Sequence, residues 1–410
     1  MSAMLPRQPL KSLDEALAQL LACAGPLQAV QQVSTFDADG RILAEDLVAR
    51  LDVPAHDNSS MDGYAVRCAD WQGPDKPLHV NQRIAAGSSG EMLGAGCAAR
   101  IFTGAPVPAG ADAVVMQEDC LTDGAQVRLL TQPKAGQWIR RRGEDVSSGL
   151  TVLHKGELLA PASIGLAASI GFNVLTVAAP VRVALFSTGD ELVMPGDVAP
   201  QDMKPGAIYN SNRFFLRALL MRLGCTVTDM GIVPDKFDAT LAALKTASAA
   251  HDLVLTSGGV SVGEEDHVKP AVQALGQLDL WQIAIKPGKP FAYGKIGQAH
   301  FIGLPGNPVS SFVTFLLLVR PFIRRLQGAA QVAPDSVAAC AHFNWAKADK
   351  RREFLRVRRN LAGGLDLFDN QSSGVLTSAV WADGLLDNPA GTRIVHGDVV
   401  QFIPFSSLMF

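Results

Sequence analysis

TSGGVSVGEEDH, residues 256–267, lies between the apolar run DLVLT and a helix-like stretch that opens near Pro270. Glycine and serine bring little apolar area, and the adjacent carboxylates of Glu264, Glu265 and Asp266 are costly to desolvate unless a cation compensates them. The segment is therefore a surface loop, and two readings of it stand. In one, Gly258, Gly259 and Gly263 let backbone N–H groups approach a phosphate-like anion while the acids hold a hard cation through oxygen. In the other, it is a glycine-rich turn running into a solvated acidic helix start.

The loop belongs to an alternating pattern that sets the fold class as α/β. VRVALF reads as a buried strand, 213–223 as a helix capped by Asn212 and closed by Gly224, CTVTDMGIV as a strand and 238–250 as a helix. DLVLT is a third strand, 270–276 a helix, LWQIAI, FAYGKI and HFIGL further strands, and 309–326 a long helix after Pro308. In an open, mainly parallel sheet, ligands bind beyond the carboxyl ends of the strands, near where strand order reverses. Five turn-rich loops fall at that edge: STGDEL (187–192), VPDK with Asp235, the opening loop, KPGKP (286–290) and LPGNPVS (304–310).

Residue types in these loops divide by role. Thr188, Gly189, Ser257, Gly258, Gly259 and Ser261 offer neutral donors, and Lys286 and Lys289 add positive charge for phosphates. Asp190, Glu191, Asp235 and Asp266 offer oxygen ligands, and Mg²⁺ needs only one or two carboxylates beside phosphate oxygens and water. Pro305 and Pro308 frame the last loop. Each has a plainer alternative: a turn for Asp190, a helix start for Asp235, a solvated side chain for Lys289, loop shape alone for the prolines.

Elsewhere, Ser12 and Glu15 have capping-box spacing ahead of Leu13, Leu17, Leu20 and Leu21, which predicts a helix ending near Gly25 and Pro26; a second helical pattern covers 41–49. From Leu51 the texture is that of a small β-rich domain, followed by a connection over 139–161 and a short helix at 162–170. If that helix packs with the N-terminal helices, the β-rich block is an insertion. Residues 327–334 are linker-like, and REFLRVRR, GLDLF and DVVQFIPF form a second β-rich module. HDNSSMDGYAVR (56–67) crowds Asp57, Asn58, Ser59, Ser60 and Asp62 into one turn, and IFTGAPVP places Thr103 in a similar one. RRRGEDV sets Arg140, Arg141 and Arg142 beside Glu144 and Asp145, which suits an oxyanion or is a basic turn paired with its own acids.

Composition bounds the rest. With 410 residues, 48% hydrophobic and 18% charged, the chain is a multidomain, well-packed protein, and a net charge of −3 gives no reason to expect nucleic acid. The six cysteines are scattered without a CxxC pair and there is no HExxH, so the expectation is free thiols in a reducing cytoplasm and no zinc site. Asp14 and Glu15 interrupt any signal-like apolar stretch, and the longest apolar run, 312–319, is far short of a membrane span.

NSSMDGYAVR, IFTGAPVPAGADAVV, RRGEDV, ALFSTGDEL, YNSN, TSGGVSVGEED, AIKPGKP, GLPGNPVS and QSSG followed by ADGL resemble, in this order, the motifs of MoeA-type molybdopterin molybdenumtransferases, found also as the E domain of gephyrin. Two departures are small: Ser59-Ser60 stands in place of Ser-Ala, and QSSG lacks a further glycine. The resemblance implies four domains: an N-terminal helical and linker domain (1–50 with 139–178), an inserted β-rich domain (51–138), a central three-layer α/β molybdopterin-binding domain (179–328) and a C-terminal β-barrel-like domain (329–410). It implies an elongated homodimer whose active site joins the central domain to the partner's inserted domain. It also implies insertion of molybdate into adenylylated molybdopterin with Mg²⁺-dependent release of AMP. On that reading Glu191, Asp235 and Asp266 hold Mg²⁺, and Asp62, Thr103 and Asp145 help to place molybdate. A molybdopterin adenylyltransferase and molybdoenzyme-specific cofactor acceptors are the expected partners. The alternatives are an adenylyltransferase sharing the central domain, or a gephyrin-like scaffold.

Overall fold

An interior strand of a parallel sheet must be apolar on both faces, and residues 181–188 meet that condition. In the computed structural model, which describes residues 10–259 and 267–409, the run forms β1 (Arg182–Thr188). Val183 and Leu185 enter one core, and Ala184 and Phe186 the other. The sheet is completed by β2 (Thr226–Val233), β3 (Leu253–Ser257), β4 (Gly276–Gln282), β5 (Pro290–Ile296) and β6 (Ala299–Leu304). Its order is β2-β1-β3-β6-β5-β4, with β2, β1, β3 and β6 parallel and β6, β5 and β4 an antiparallel meander. One face is covered by α1 (Asn212–Arg222) and the helical run 308–326, the other by α2 (Phe237–Ala250) and α3 (Val268–Leu275). The central domain is a three-layer α/β unit.

The long terminal helix is not uniform: Pro308–Thr314 and Arg320–Leu326 are α-helical, while Phe315–Val319 widen into a π-helical segment. Pro321 accounts for this, since it lacks an N–H and its ring would collide with the carbonyl four residues earlier in a regular helix. The strand expected over LWQIAI also divides. It ends at Gln282, and Ile285–Lys286 leave the sheet to pair with the C-terminal strand Arg352–Arg359.

The capping box is present: Ser12 Oγ accepts the Glu15 N–H at 3.2 Å and the Ser12 N–H is held by the Glu15 carboxylate at 2.9 Å. The helix Leu13–Cys23 then buries Leu13, Ala16 and Leu20 in the core of the central domain. The helix Pro161–Ser169 does not pack with it. Ala167 and Ile170 instead join Leu43, Leu47, Val146, Leu153, Leu175 and Val177, residues from both sides of the β-rich block. Residues 41–49 are not helical: Ile42 and Leu43 form isolated bridges, to Leu158 and Val177, and Leu47–Val48 pair with Thr151–Leu153. Leu43 and Leu47 have the spacing of a helix face, but the apolar groups reach the same core through strand pairing, which overrides local propensity.

The β-rich block contains a six-stranded sheet with its own two cores, one around Tyr64, Val66 and Val115 and one around Ala65, Ile84 and Ile101. At the C-terminus, strand Arg352–Arg359 pairs both with Gly364–Leu367 and with Gly384–Asn388, so the sheet closes into a barrel. No helix among the described residues is long and apolar enough to cross a membrane, and all six cysteines are free.

Barrel and central domain are tied through Glu353, a carboxylate only 1% exposed. It accepts from Lys286 Nζ at 3.0 Å, Trp345 Nε1 at 2.8 Å and Asn388 Nδ2 at 3.3 Å. Removing one member of such a buried set leaves the others unpaired. Glu353→Ala is expected to destabilise the protein by about 3 kcal/mol, measured as an earlier transition in denaturant titrations followed by tryptophan fluorescence.

Candidate functional site

From β1 the chain crosses to β2 on one side and later returns to β3 on the other. A crevice at such a reversal is where this architecture binds ligands. A cavity of about 520 Å³ lies there, lined by Thr188, Gly189, Glu191, Asp235, Ser257, Gly258, Gly259, Pro305 and Pro308 of the residues anticipated from sequence. Its floor depends on glycine. Gly258 has φ +96°, and a Cβ there would stand 2.8 Å from the Thr188 carbonyl oxygen; at Gly259, φ +68°, it would collide with the Val268 methyl and lie 2.9 Å from Thr188 Oγ1. Gly189, φ +141°, packs under the Glu191 carboxyl, which a Cβ would approach to 2.6 Å.

Three side chains that the sequence did not place in the site complete this wall. Asn212 Nδ2 donates to Ser257 Oγ at 2.8 Å and to the Gly306 carbonyl at 2.7 Å, tying the loops after β3 and β6 together. Ser187 and Asn210 line the cavity and are buried, yet the Ser187 hydroxyl and the Asn210 amide nitrogen have no hydrogen-bond partner among the described residues. Buried polar atoms are normally satisfied, so these are groups a ligand or water can engage. Asp190 sits beside Asp235, accepting its N–H at 3.3 Å.

The donor set suits a hard divalent cation held mainly by substrate phosphates and water, because Glu191 and Asp235 supply two carboxylates to one crevice. Among the described residues no cluster of three His, Cys, Asp or Glu forms an all-protein metal site. Ser261 and Asp266, with Glu264 and Glu265, lie outside the described residues.

The lysines of KPGKP take different places. Lys286 does not line the crevice; it is ion-paired to Glu353 at 3.0 Å and to Asp349 at 3.2 Å in the barrel. Bonds from Arg351, with further help from Lys286, hold the Asp349 carboxyl far below its usual range. Lys289 is exposed, next to Pro290, which lines the crevice.

A second polar group forms in the β-rich domain. Asp62 Oδ1 accepts both the N–H and the hydroxyl of Thr103 at 2.7 Å. These bonds, the backbone one foremost, and the charge of Arg100 hold the Asp62 carboxyl below its ordinary pKa. Arg100 donates to the Gly63 carbonyl at 3.0 Å and lies over the rings of Phe102 and Tyr64. Asp145 is exposed in a turn held by its N–H on the Val53 carbonyl at 3.0 Å. Of the neighbouring arginines, Arg141 pairs with Asp57 at 2.6 Å and Arg142 with Asp52, so the basic turn is neutralised mainly by acids of the preceding segment. No residue of this domain lines the crevice of the same chain among those described.

Three family models cover the chain in order: the MoeA N-terminal region (domain I and II) over 11–171, a probable molybdopterin binding domain over 184–325, and the MoeA C-terminal region (domain IV) over 338–405. A molybdopterin molybdenumtransferase of Haemophilus influenzae is 42% identical, covering 84% of this chain and 85% of the relative. The chain belongs to the MoeA family. Molybdopterin molybdenumtransferase 2 of Mycobacterium tuberculosis is 36% identical over 94% of this chain and 98% of its own length. The crystal structure of the molybdopterin biosynthesis MoeA protein from Pyrococcus horikoshii OT3 matches with a TM-score of 0.85 at 28% identity, over 97% of this chain and 100% of that one.

In this MoeA-family chain the sequence signal for Asn212 pointed to another role. Its place before a helix reads as a cap, but Ser211 holds that position, without a side-chain cap bond. Asn212→Ala is expected to cost about 1–2 kcal/mol, the range for losing buried hydrogen bonds. Amide hydrogen exchange should report it as faster exchange at Ser257, the end of β3, and around Gly306, with the rest of the sheet unaffected.

Proposed function

We propose that this MoeA-family chain is a molybdopterin molybdenumtransferase that inserts molybdate into adenylylated molybdopterin and releases AMP. The observation that carries the reading is the crevice at the β1/β3 reversal, where glycines bring backbone against Thr188 and two carboxylates face unpartnered buried donors. Relatives named for that activity match along most of the chain, which supports it.

The backbone of 257–259, the Ser187 hydroxyl and the Asn210 amide are placed to bind phosphate oxygens of the adenylylated substrate. Glu191 and Asp235, with Asp266 by sequence, would hold Mg²⁺, which when bound offsets charge on the phosphate bridge whose cleavage frees AMP. Lys289 is near enough in sequence to Pro290 to add charge at the entrance. Asp62 is oriented by Thr103 but, as an anion, does not contact molybdate directly; it acts through a water or a proton. Asp145 belongs to the same surface on this reading.

Because no described residue of the inserted domain lines the crevice, the reading requires a homodimer in which that domain reaches the partner's crevice. An adenylyltransferase would supply the substrate and molybdoenzyme-specific acceptors would take the product, in the cytoplasm.

Purified protein given adenylylated molybdopterin, Mg²⁺ and molybdate is expected to yield AMP and active cofactor. ATP consumption with free molybdopterin would instead mark an adenylyltransferase, and neither product a scaffold. Asp62→Asn and Glu191→Gln should each slow AMP release by at least about 100-fold, as for lost transition-state contacts, with unchanged unfolding midpoints. Mixing the two inactive variants and allowing subunit exchange should restore part of the activity, because one centre of each hybrid dimer then has both halves intact. No restoration would place both halves in a single chain.

A further inference from the structure

Outside the crevice, the feature least explained by the fold is a pair of buried arginines. Arg320 and Arg324 stand one turn apart on the helix Arg320–Leu326, so their heads lie on one side of it. They are 8% and 5% exposed. Arg320 donates to the carbonyls of Val332 at 3.0 Å and Ser407 at 2.8 Å, and its Nε has no partner. Arg324 donates to Gln327 Oε1 at 3.3 Å. All of these acceptors are neutral, and among the described residues no carboxylate forms an ion pair with either guanidinium.

Both charges border a cavity of about 490 Å³ where the central helix, residues 156–158, the linker 329–335 and the C-terminal Ser406 and Ser407 meet. Neither of its two acids forms an ion pair with the arginines: Glu157 accepts the His154 N–H at 2.8 Å, and Asp335, exposed and accepting from Gln331 at 3.3 Å, offsets the Arg320 charge only as the smallest of the influences on it. A buried charge without an ion-paired counterion is costly, and two in one wall repel each other. The strain shows in the groups themselves: burial, then the charge of Arg324, pushes Arg320 down to about 10, and burial lowers Arg324 as well.

We propose that Arg320 and Arg324 form a binding site for a tetrahedral oxyanion, of the phosphate class, at the junction of the N-terminal domain, the central helix and the C-terminal barrel. The planar guanidinium forks match such an anion, and Ser406 stands in the same wall to donate to it, while Ser407 Oγ already donates to the Asp335 and Pro404 carbonyls. A bound anion would brace three domains at once, and through linkage would stabilise the folded chain in proportion to its occupancy. Nothing here depends on the catalytic reading, since the cavity shares no lining residue with the crevice.

Inorganic phosphate is the probe, titrated at constant ionic strength against chloride and read by hydrogen exchange in 156–158, 329–335 and 406–407. Phosphate binding in the crevice would protect other segments, so the readout is local. Wild type is expected to show saturable protection in those three segments, and Arg324→Gln to need about tenfold or more phosphate for the same effect. Arg324→Lys keeps the charge but not the fork, and should fall between them; it decides the matter if the glutamine variant does not fold. No saturable protection in wild type, or the same phosphate dependence in the variants, overturns the site. Free phosphate and a phosphorylated metabolite are separated by repeating the titration with ribose 5-phosphate. A lower half-saturating concentration assigns the larger ligand, and a higher one the free ion.

Discussion

The close approach of Gly258 and Gly259 to Thr188 sets the geometry on which the rest of the site depends. Two parallel strands diverge in their connections at this point, and the space between their ends is a crevice only if one loop can lie flat against the other. A side chain at either glycine would meet the Thr188 carbonyl or hydroxyl, and the positive φ of both excludes most other residues on backbone grounds as well. With that floor in place, Asn212 can reach both the Ser257 hydroxyl and the Gly306 carbonyl, so loops from β3 and β6 become one wall. Ser187 at the end of β1, Glu191 in the loop after it, Asn210 just before α1 and Asp235 just after β2 then line the same space.

The other domains hold this wall from outside. The N-terminal helix, the central sheet and the barrel share one continuous apolar core that includes Leu20, Leu316, Phe354 and Phe405. Polar ties lie at its margin: Lys286 to Glu353 and Asp349, and Arg352 to Asp387 and Asp14. The Val309 N–H donates to the Ser373 carbonyl at 2.9 Å, so the helix that follows LPGNP is capped by the QSSG segment of the barrel domain. A buried ion pair is weak evidence of net stability, but it fixes one arrangement over others. The C-terminal module therefore bears on the edge of the crevice through KPGKP and LPGNPVS, although none of its residues lines it.

Most strands and helices of the central domain were legible because burial on both faces and simple capping signals are local properties. The loops were legible because turn chemistry is local too, and because parallel strands bring their carboxyl ends to one edge. What could not be read were pairings fixed at a distance. Residues 41–49 look helical by spacing, yet partners more than a hundred residues away draw them into strands. Lys286 looks like a phosphate ligand until the barrel supplies Glu353, and the arginine turn, which suits an oxyanion or pairing with its own acids, has Arg141 and Arg142 paired instead with Asp57 and Asp52 of an earlier segment. Asn212 is the converse: a residue with an ordinary local explanation whose side chain belongs to the site. The link between Asp62 and Thr103, by contrast, was foreshadowed by two polar turns of the same character, and the structure joins them through a single carboxylate oxygen.

The charge balance of the crevice bears on how such a site can work. Its lining holds Glu191 and Asp235 but no lysine or arginine among the described residues. A substrate carrying a phosphate bridge adds further negative charge to a space already bounded by carboxylates, and with no compensation the result is repulsive. Neutral donors orient phosphate oxygens but do not cancel their charge. Lys289, exposed beside Pro290, can add positive charge at the entrance, and two further sources are compatible with the geometry. One is a divalent cation, to which the two carboxylates become ligands rather than repellents. The other is the inserted domain, where Arg100 stands beside Asp62 and Arg140 is exposed in a strand paired with Asn58. Acids line the crevice and arginines stand on the inserted domain, none of whose described residues lines it, so the charges would offset one another if both faces closed on one substrate. On the reading proposed above, a second subunit is what would bring those two faces together.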